Sequence, residues 1–299
     1  MTKIFIPLPS KDNISFYLQQ NFDGFLIGIE GYSENYNNLV KLEDLEDTLE
    51  SIKNSNKEIF INFNRLYYNN EVDSLKEVIL KISKLNITGI CYTDVGVLNI
   101  LKDINYDKEI LWYSNHIGTN SKTINFLEKR GVSYALLSTE ITLEEIINIK
   151  KNTNIKIGAF LYGYLNMATS SRKLLTNYFK YTNKDKDDNK YTIKDKVKKD
   201  EYKVVETFNT NFFTGKVLNG IKYFPTLIDN NIDFIILDDY MLNENDFYNI
   251  IEAFSSLRNA KDDEKFVNSL NEVVKSNTYV ETYDGFLGKK TVYKVEDYE

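Results

Sequence analysis

Residues with usable chemistry recur along this chain at, or following, the C-terminal ends of short apolar runs. They are Glu30, Asn64, Arg65, Asp94, Asn115, His116, Glu140, Tyr162, Arg172, Asp238 and Asp239. In such a set a desolvated carboxylate acts as a general base, and an arginine holds a carboxylate or phosphate bidentately. His116 is the sole histidine, so Ser-His-Asp or Cys-His catalysis would have to run through it. Its neighbours Ser114 and Asn115 do not by spacing supply nucleophile–base geometry, and a loop histidine without catalytic duty is the alternative. Asp94, Asp238 and Asp239 offer the oxygen ligands a divalent cation takes. They lie on distant runs, and no metal site is predicted from them.

Eight apolar runs position these residues: 3–9, 24–30, 58–64, 87–94, 109–114, 134–140, 155–163 and 233–239. Their near-continuous hydrophobicity fits parallel strands buried on both faces. Between them lie stretches such as LEDLEDTLESIKNS, EVDSLKEVILKISKL, SKTINFLEKR and TLEEIINIKKN, with apolar residues three and four apart and helix-start signals. Eight strand–helix units that close on themselves predict a (β/α)8 TIM-like barrel, with its active face at the loops that follow the strands. The barrel is expected over 1–254, including a charged insertion at 180–222 between strands seven and eight, with a C-terminal helix and tail over 255–299 packed on it.

A chain of 299 residues with 42% hydrophobic content is long enough to bury such a core. One cysteine excludes an intramolecular disulfide, and no apolar run reads as an export signal or a membrane span, so a cytoplasmic protein is expected. The net charge of -7 argues against a stand-alone nucleic-acid binder while leaving room for a local basic patch. That patch is the segment 180–203, with nine lysines against six acids, directly after Arg172 and Lys173. It reads either as a solvated, mobile loop or small hairpin, or as a phosphate-contacting lobe in which Tyr181, Tyr191 and Tyr202 stack on bases.

The string YGYLNMATSSRKLLTNYFKY at 162–181 resembles the signature region of the peptidase U32 family. The stretches DGFLIGIEGYS after residue 22, LWYSNHIGTNSKTINFLEKRGVSYALLSTEITLEEI at 111–146 and YDGFLGKKTVYKV near the C-terminus are similar to further family elements, so the resemblance spans almost the whole chain. It is to the short branch, whose members are paired with a longer relative and associated with tRNA uridine hydroxylation. What the resemblance implies is a (β/α)8 protein of a family traditionally labelled collagenase-like peptidases. Relatives carry an iron-sulfur cluster and hydroxylate RNA pyrimidines or a quinone precursor. Where such relatives place two of four cluster cysteines this chain has Asn166 and Lys173, and Tyr162 stands for the family's histidine. Leu237, Asp238, Asp239 and Tyr240 form its strand-eight ending, with Ile236 in place of a lysine. A cluster normally needs four thiolates, and Cys91 is alone.

The expectation is therefore a cluster-free component of tRNA wobble-uridine hydroxylation. It would bind no cofactor alone and would act with a longer U32 relative that carries the Fe-S cluster, reaching tRNA through that complex and having no membrane partner. The alternatives are a U32-type peptidase and a non-catalytic small-molecule or scaffold barrel. Whether the chain is itself an enzyme stays open at this point. Glu140, Arg172 and Asp238 are the catalytic candidates; Asn64, Asn115, His116, Tyr162 and Lys173 are the substrate-binding candidates. Glu140 has a structural alternative as the helix-start acid of STEITLEE, where the macrodipole favours a negative charge.

Overall fold

In the computed structural model, which describes residues 1–197, 200–259 and 263–290, eight parallel strands of the described residues close into a barrel. They are β1 (Lys3–Pro7), β2 (Gly24–Ile29), β4 (Glu58–Phe63), β5 (Gly89–Tyr92), β6 (Glu109–Tyr113), β7 (Tyr134–Leu136), β8 (Lys156–Ser170) and β12 (Phe234–Leu237), while β3 (Leu39–Val40) is a two-residue strand beside β2. Each of the eight predicted runs supplies one of them. β12 pairs with both β8 and β1, which closes the ring.

The connecting helices are α1 (Ile14–Tyr17), α2 (Leu45–Ile52), α3 (Val72–Ile82), α4 (Val95–Asp103), α5 (Ser121–Glu128), α6 (Leu143–Lys151), α8 (Phe224–Asp229) and α9 (Glu244–Ser256). Their starts follow from short polar side chains that satisfy the first backbone donors. Asp94 accepts from Gly96 N, Asn120 from Thr123 N and Thr142 from Glu145 N. Asp94, a candidate ligand in the sequence, is thus a helix cap.

The barrel interior is filled with rings. Phe5, Phe60, Tyr134 and Phe234 form a chain of aromatic contacts with centroids 5.3–5.8 Å apart. Space for Phe234 comes from its neighbour on β8, because a Cβ on Gly158 would stand 2.3 Å from that ring.

The seventh barrel strand continues past the rim. The first part of β8 pairs in parallel with β7 and β12, and the part from Tyr162 onward pairs antiparallel with β11 (Thr210–Asn219). Gly163 sits at that junction with φ +130°, where a Cβ would also meet Asp238 O at 2.8 Å, so the change of partner needs glycine. β10 (Glu201–Glu206) and β9 (Lys190–Lys194) extend the antiparallel sheet, and α7 (Leu174–Thr182) packs beside it. The sequence reading of a loop or small hairpin is too small. The β9–β10 hairpin exists, but as part of a lobe that begins before Lys180; Lys198 and Lys199 lie outside the described residues.

After α9, α10 (Glu264–Ser276) packs against it, and β13 (Thr282–Tyr283) adds in parallel to β11. Of the expected 255–299 unit, residues 260–262 and 291–299 lie outside the described residues. Among the described residues no helix is long and apolar enough to cross a membrane.

Candidate functional site

The lobe roofs the barrel mouth and leaves a cavity of about 90 Å³ beneath it. Thr93, Tyr113, Asn115 and His116 reach it from the ends of β5 and β6, Asn64 from β4 and Asp238 from β12. Asn166, Asn211 and Phe213 come down from the lobe, and Asn35 and Tyr36 come from the loop after β2. Four predicted site residues, Asn64, Asn115, His116 and Asp238, therefore meet in one cavity.

A buried carboxylate in that loop holds the roof down. Glu34, 3% exposed, accepts from Thr207 Oγ1 at 3.0 Å, Asn209 N at 2.6 Å, Asn209 Nδ2 at 3.1 Å and Asn211 Nδ2 at 3.0 Å. Asn64 fixes its backbone, accepting from Glu34 N at 2.9 Å and donating to Glu34 O at 2.8 Å. Arg65 adds to the clamp by stacking its guanidinium 4.1 Å from the Phe208 ring centroid while pairing with Glu71 and donating to Gly31 O. Both residues after β4 thus position the lobe, although Asn64 also lines the cavity. Glu30, the acid singled out in the sequence, is exposed, and the buried carboxylate is four residues further on.

Adjacent aspartates at the end of β12 face different surroundings. The Asp238 carboxyl turns to the cavity beside Tyr36, Tyr113 and Tyr240, and accepts from Tyr240 N at 2.8 Å. Burial pushes its pKa up to about 7, with the Tyr240 hydrogen bond opposing. Asp239, 3% exposed, faces Tyr17, Tyr162 and Glu244, and burial followed by repulsion from Asp238 raises it to about 8. Near neutral pH, Asp238 is thus able both to give and to take a proton. Burial also drives the phenols of Tyr36 and Tyr113 well above their ordinary range, so both stay neutral donors.

His116 Nδ1 lies 3.4 Å from Glu140 Oε1, which links the cavity to a second, wider space. That groove, about 780 Å³, runs between Thr139 and Glu140, the lobe residues Tyr202, Lys203 and Thr214, and the segment Val280 to Phe286. Asn166 lines both spaces. Among the described residues, no Ser, Thr or Cys side chain hydrogen-bonds to His116, and no three His, Cys, Asp or Glu side chains gather to hold a metal ion.

The remaining candidates lie elsewhere. Arg172 is exposed between β8 and α7, where its carbonyl accepts from Thr210 Oγ1 at 2.7 Å, and Lys173 Nζ donates to Thr207 O. Neither lines the cavity. Tyr162 is 1% exposed on the outside of the barrel, stacked on Phe247 of α9 and bonded through its hydroxyl to Thr278 Oγ1 at 3.0 Å. It is a packing residue there, because successive side chains of a strand alternate faces and this one points away from the mouth. Within the lobe Glu206 is the organising group. It accepts from Leu175 N at 2.8 Å, Thr176 N at 3.2 Å, Thr210 Oγ1 at 3.1 Å and Lys186 Nζ at 2.8 Å. Lys194 pairs with Glu201, and Lys203 donates to Thr192, whereas Arg172, Lys180, Lys184 and Lys196 have no side-chain partner among the described residues.

The family model of peptidase family U32 matches residues 10–296. The chain belongs to that family. This U32 chain is 24% identical over 294 residues to the tRNA hydroxylation protein P2 of Bacillus subtilis (strain 168), covering 92% of this chain and 94% of that protein. It is 21% identical over 178 residues to the tRNA hydroxylation protein P1 of the same organism, covering 59% of this chain and 42% of P1. Among solved structures, the U32 peptidase Mk0906 is similar with a TM-score of 0.47 and 12% identity, over 55% of this chain and 69% of that one. The residues of this U32 chain do not fit an Fe-S cluster. Its only cysteine, Cys91, is wholly buried in β5 with its thiol pushed up by burial, and thiolates are what a cluster requires.

Proposed function

We propose that this chain is a cluster-free component of tRNA wobble-uridine hydroxylation in the cytoplasm, acting beside a longer U32 relative that carries the Fe-S cluster. The observation that carries the reading is end-to-end similarity to the tRNA hydroxylation protein P2, set against a single cysteine. Similarity to P1 stops at 42% of that protein's length, which supports a division of labour between a short and a longer partner.

In this reading Asp238 is the proton-handling group of the mouth. Asn115 and His116 orient a ligand from β6, and the His116–Glu140 pair borders the way to the groove. Arg172, Lys180, Lys184 and Lys196 are the cations free to meet phosphates. A peptidase role has less support, because among the described residues no nucleophile is bonded to His116.

Deleting the gene and reading wobble uridines by mass spectrometry tests the reading directly; unchanged hydroxylation overturns it. Pull-down with the longer relative and iron analysis of the isolated chain test the partnership. No complex, or stoichiometric iron on this chain alone, removes it. Reversing Arg172, Lys180, Lys184 and Lys196 to glutamate should weaken tRNA binding by the complex, with a loss that shrinks as salt rises. Full complementation of the deletion by that variant would end the RNA role of the lobe.

A further inference from the structure

The lining of the mouth cavity gathers side-chain amide oxygens that have no partner. Asn35, Asn115 and Asn166 all line it, and the Oδ1 of each is buried without a hydrogen-bond partner. Buried acceptors in folded proteins are almost always paired, so three at one cavity mark where donors belong. For Asn166, 9% exposed, the amide orientation follows from a relay rather than from choice. Glu34 Oε2 takes Nδ2 of Asn211, so Asn211 presents Oδ1 to Nδ2 of Asn166 at 3.2 Å, and the Asn166 oxygen is left for the cavity.

Charge and shape point the same way. Asp238 is the only acidic residue in the lining, and neither Lys nor Arg is present in it. The walls carry six rings, those of Tyr36, Tyr113, Phe160, Tyr164, Phe213 and Tyr240. Aromatic faces attract cations, and a carboxylate with amide oxygens satisfies several N–H donors at once. An anion would meet none of the cationic side chains that usually hold phosphate or carboxylate groups.

We infer that the barrel-mouth cavity binds a small organic monocation of the primary-ammonium or guanidinium type, with Asp238 as its counter-ion and Asn35, Asn115 and Asn166 as its acceptors. This site deepens the reading of the mouth given above, but it uses none of the lobe's cations, so its failure and that of the RNA reading are distinguishable.

Titration of Asp238 gives the site a signature. The groups facing its carboxyl are the phenols of Tyr36, Tyr113 and Tyr240, the neighbouring Asp239, and across the cavity His116 and Tyr164, with the Cys91 thiol behind Tyr36 and Tyr113. A bound cation favours the carboxylate, so binding below about pH 7 releases a proton and affinity grows with pH. Calorimetry on the full chain with methylguanidinium, and with methylurea as its neutral isostere, tests this. Methylguanidinium should bind at least roughly tenfold more tightly than methylurea, and roughly tenfold more tightly at pH 8 than at pH 6. Asp238→Asn should abolish both the preference and the pH dependence. Where Asp238→Asn does not fold, as judged by its melting, Asn166→Leu is read instead and should lose most of the binding. Equal affinity for methylurea, no binding of methylguanidinium, or unaltered binding in the folded variant overturns the site.

Discussion

Glu34 and Asn209, 175 residues apart, form a two-pronged contact in which the carboxylate accepts both the backbone N–H and the side-chain amide of the asparagine. It fastens the lobe to the barrel, and Asn64 holds its barrel side in register. The roof of the cavity therefore depends on a carboxylate in the loop after β2.

Replacing Glu34 by alanine leaves four donors from Thr207, Asn209 and Asn211 without their acceptor. Hydrogen bonds to a charged, buried acceptor contribute strongly, so a loss on the order of 2–4 kcal/mol is expected. Hydrogen exchange should show faster exchange at Asn209 N while strands β4 and β5 stay protected. Unchanged protection at Asn209 would show that the roof is held by other contacts.

Glu206 makes the lobe sensitive to acid. Burial raises its carboxyl pKa, but hydrogen bonds from Lys186, Thr176 and Thr210 outweigh that and take it down to about 2. A depressed carboxyl contributes stability that is present above its unfolded value, near 4.3, and is lost as pH falls through the folded value. The lobe should therefore loosen between roughly pH 4.5 and pH 2, ahead of any loss in the barrel strands it does not touch. Amide exchange at Leu175 and Thr176 reads this, and Glu206→Gln should show the loosened state already at neutral pH. A variant as well protected as the original would mean that α7 is anchored without the charge.

Asp238 and Asp239 act in the opposite direction. Their folded values, about 7 and about 8, are raised mainly by burial. The folded chain therefore keeps protons that the unfolded chain has released. Stability from this source is complete below about pH 4 and is lost as pH rises through the folded values, by at least about 2 kcal/mol in total. Denaturant unfolding from pH 5 to pH 8 should show that decline, and the Asp238→Asn, Asp239→Asn double variant should flatten it. An equal slope in both proteins would place the carboxyls in contact with water.

The barrel was legible because parallel strands covered on both faces are continuously apolar, and all eight appear as such from KIFIP to FIIL. The lobe was not, for the same reason in reverse. Past Gly163, β8 turns from a fully buried barrel strand into one whose end is exposed, so LNMATSS carries no strand-like pattern. Glu206 has no signal of its own in the sequence, and the fold supplies its partners Leu175, Thr176, Lys186 and Thr210. The position of Asn115, His116 and Asp238 at the barrel mouth was legible because they follow strand ends, which a barrel gathers on one face. Tyr162 departs from that rule because its side chain packs on the outer face of β8 against Phe247 and Thr278.

Gly158 tests the packing that makes this barrel a filled core. A methyl there would stand 2.3 Å from the Phe234 ring, which is wholly buried and in contact with Phe5 and Tyr134, so it has no free direction in which to move. Overpacking of this kind costs about 1–3 kcal/mol or more, and Gly158→Ala is expected at the upper end. Phe234→Leu alone should also destabilise, by about 1–3 kcal/mol, through lost ring contacts and the space it opens. Combined, the two changes partly compensate, because the smaller side chain at 234 makes room for the methyl at 158. A double-mutant cycle by urea denaturation should therefore return a favourable coupling of at least about 1 kcal/mol. Simple additivity would mean that strand β8 shifts to accept the methyl, and that the ring at 234 is not what requires glycine.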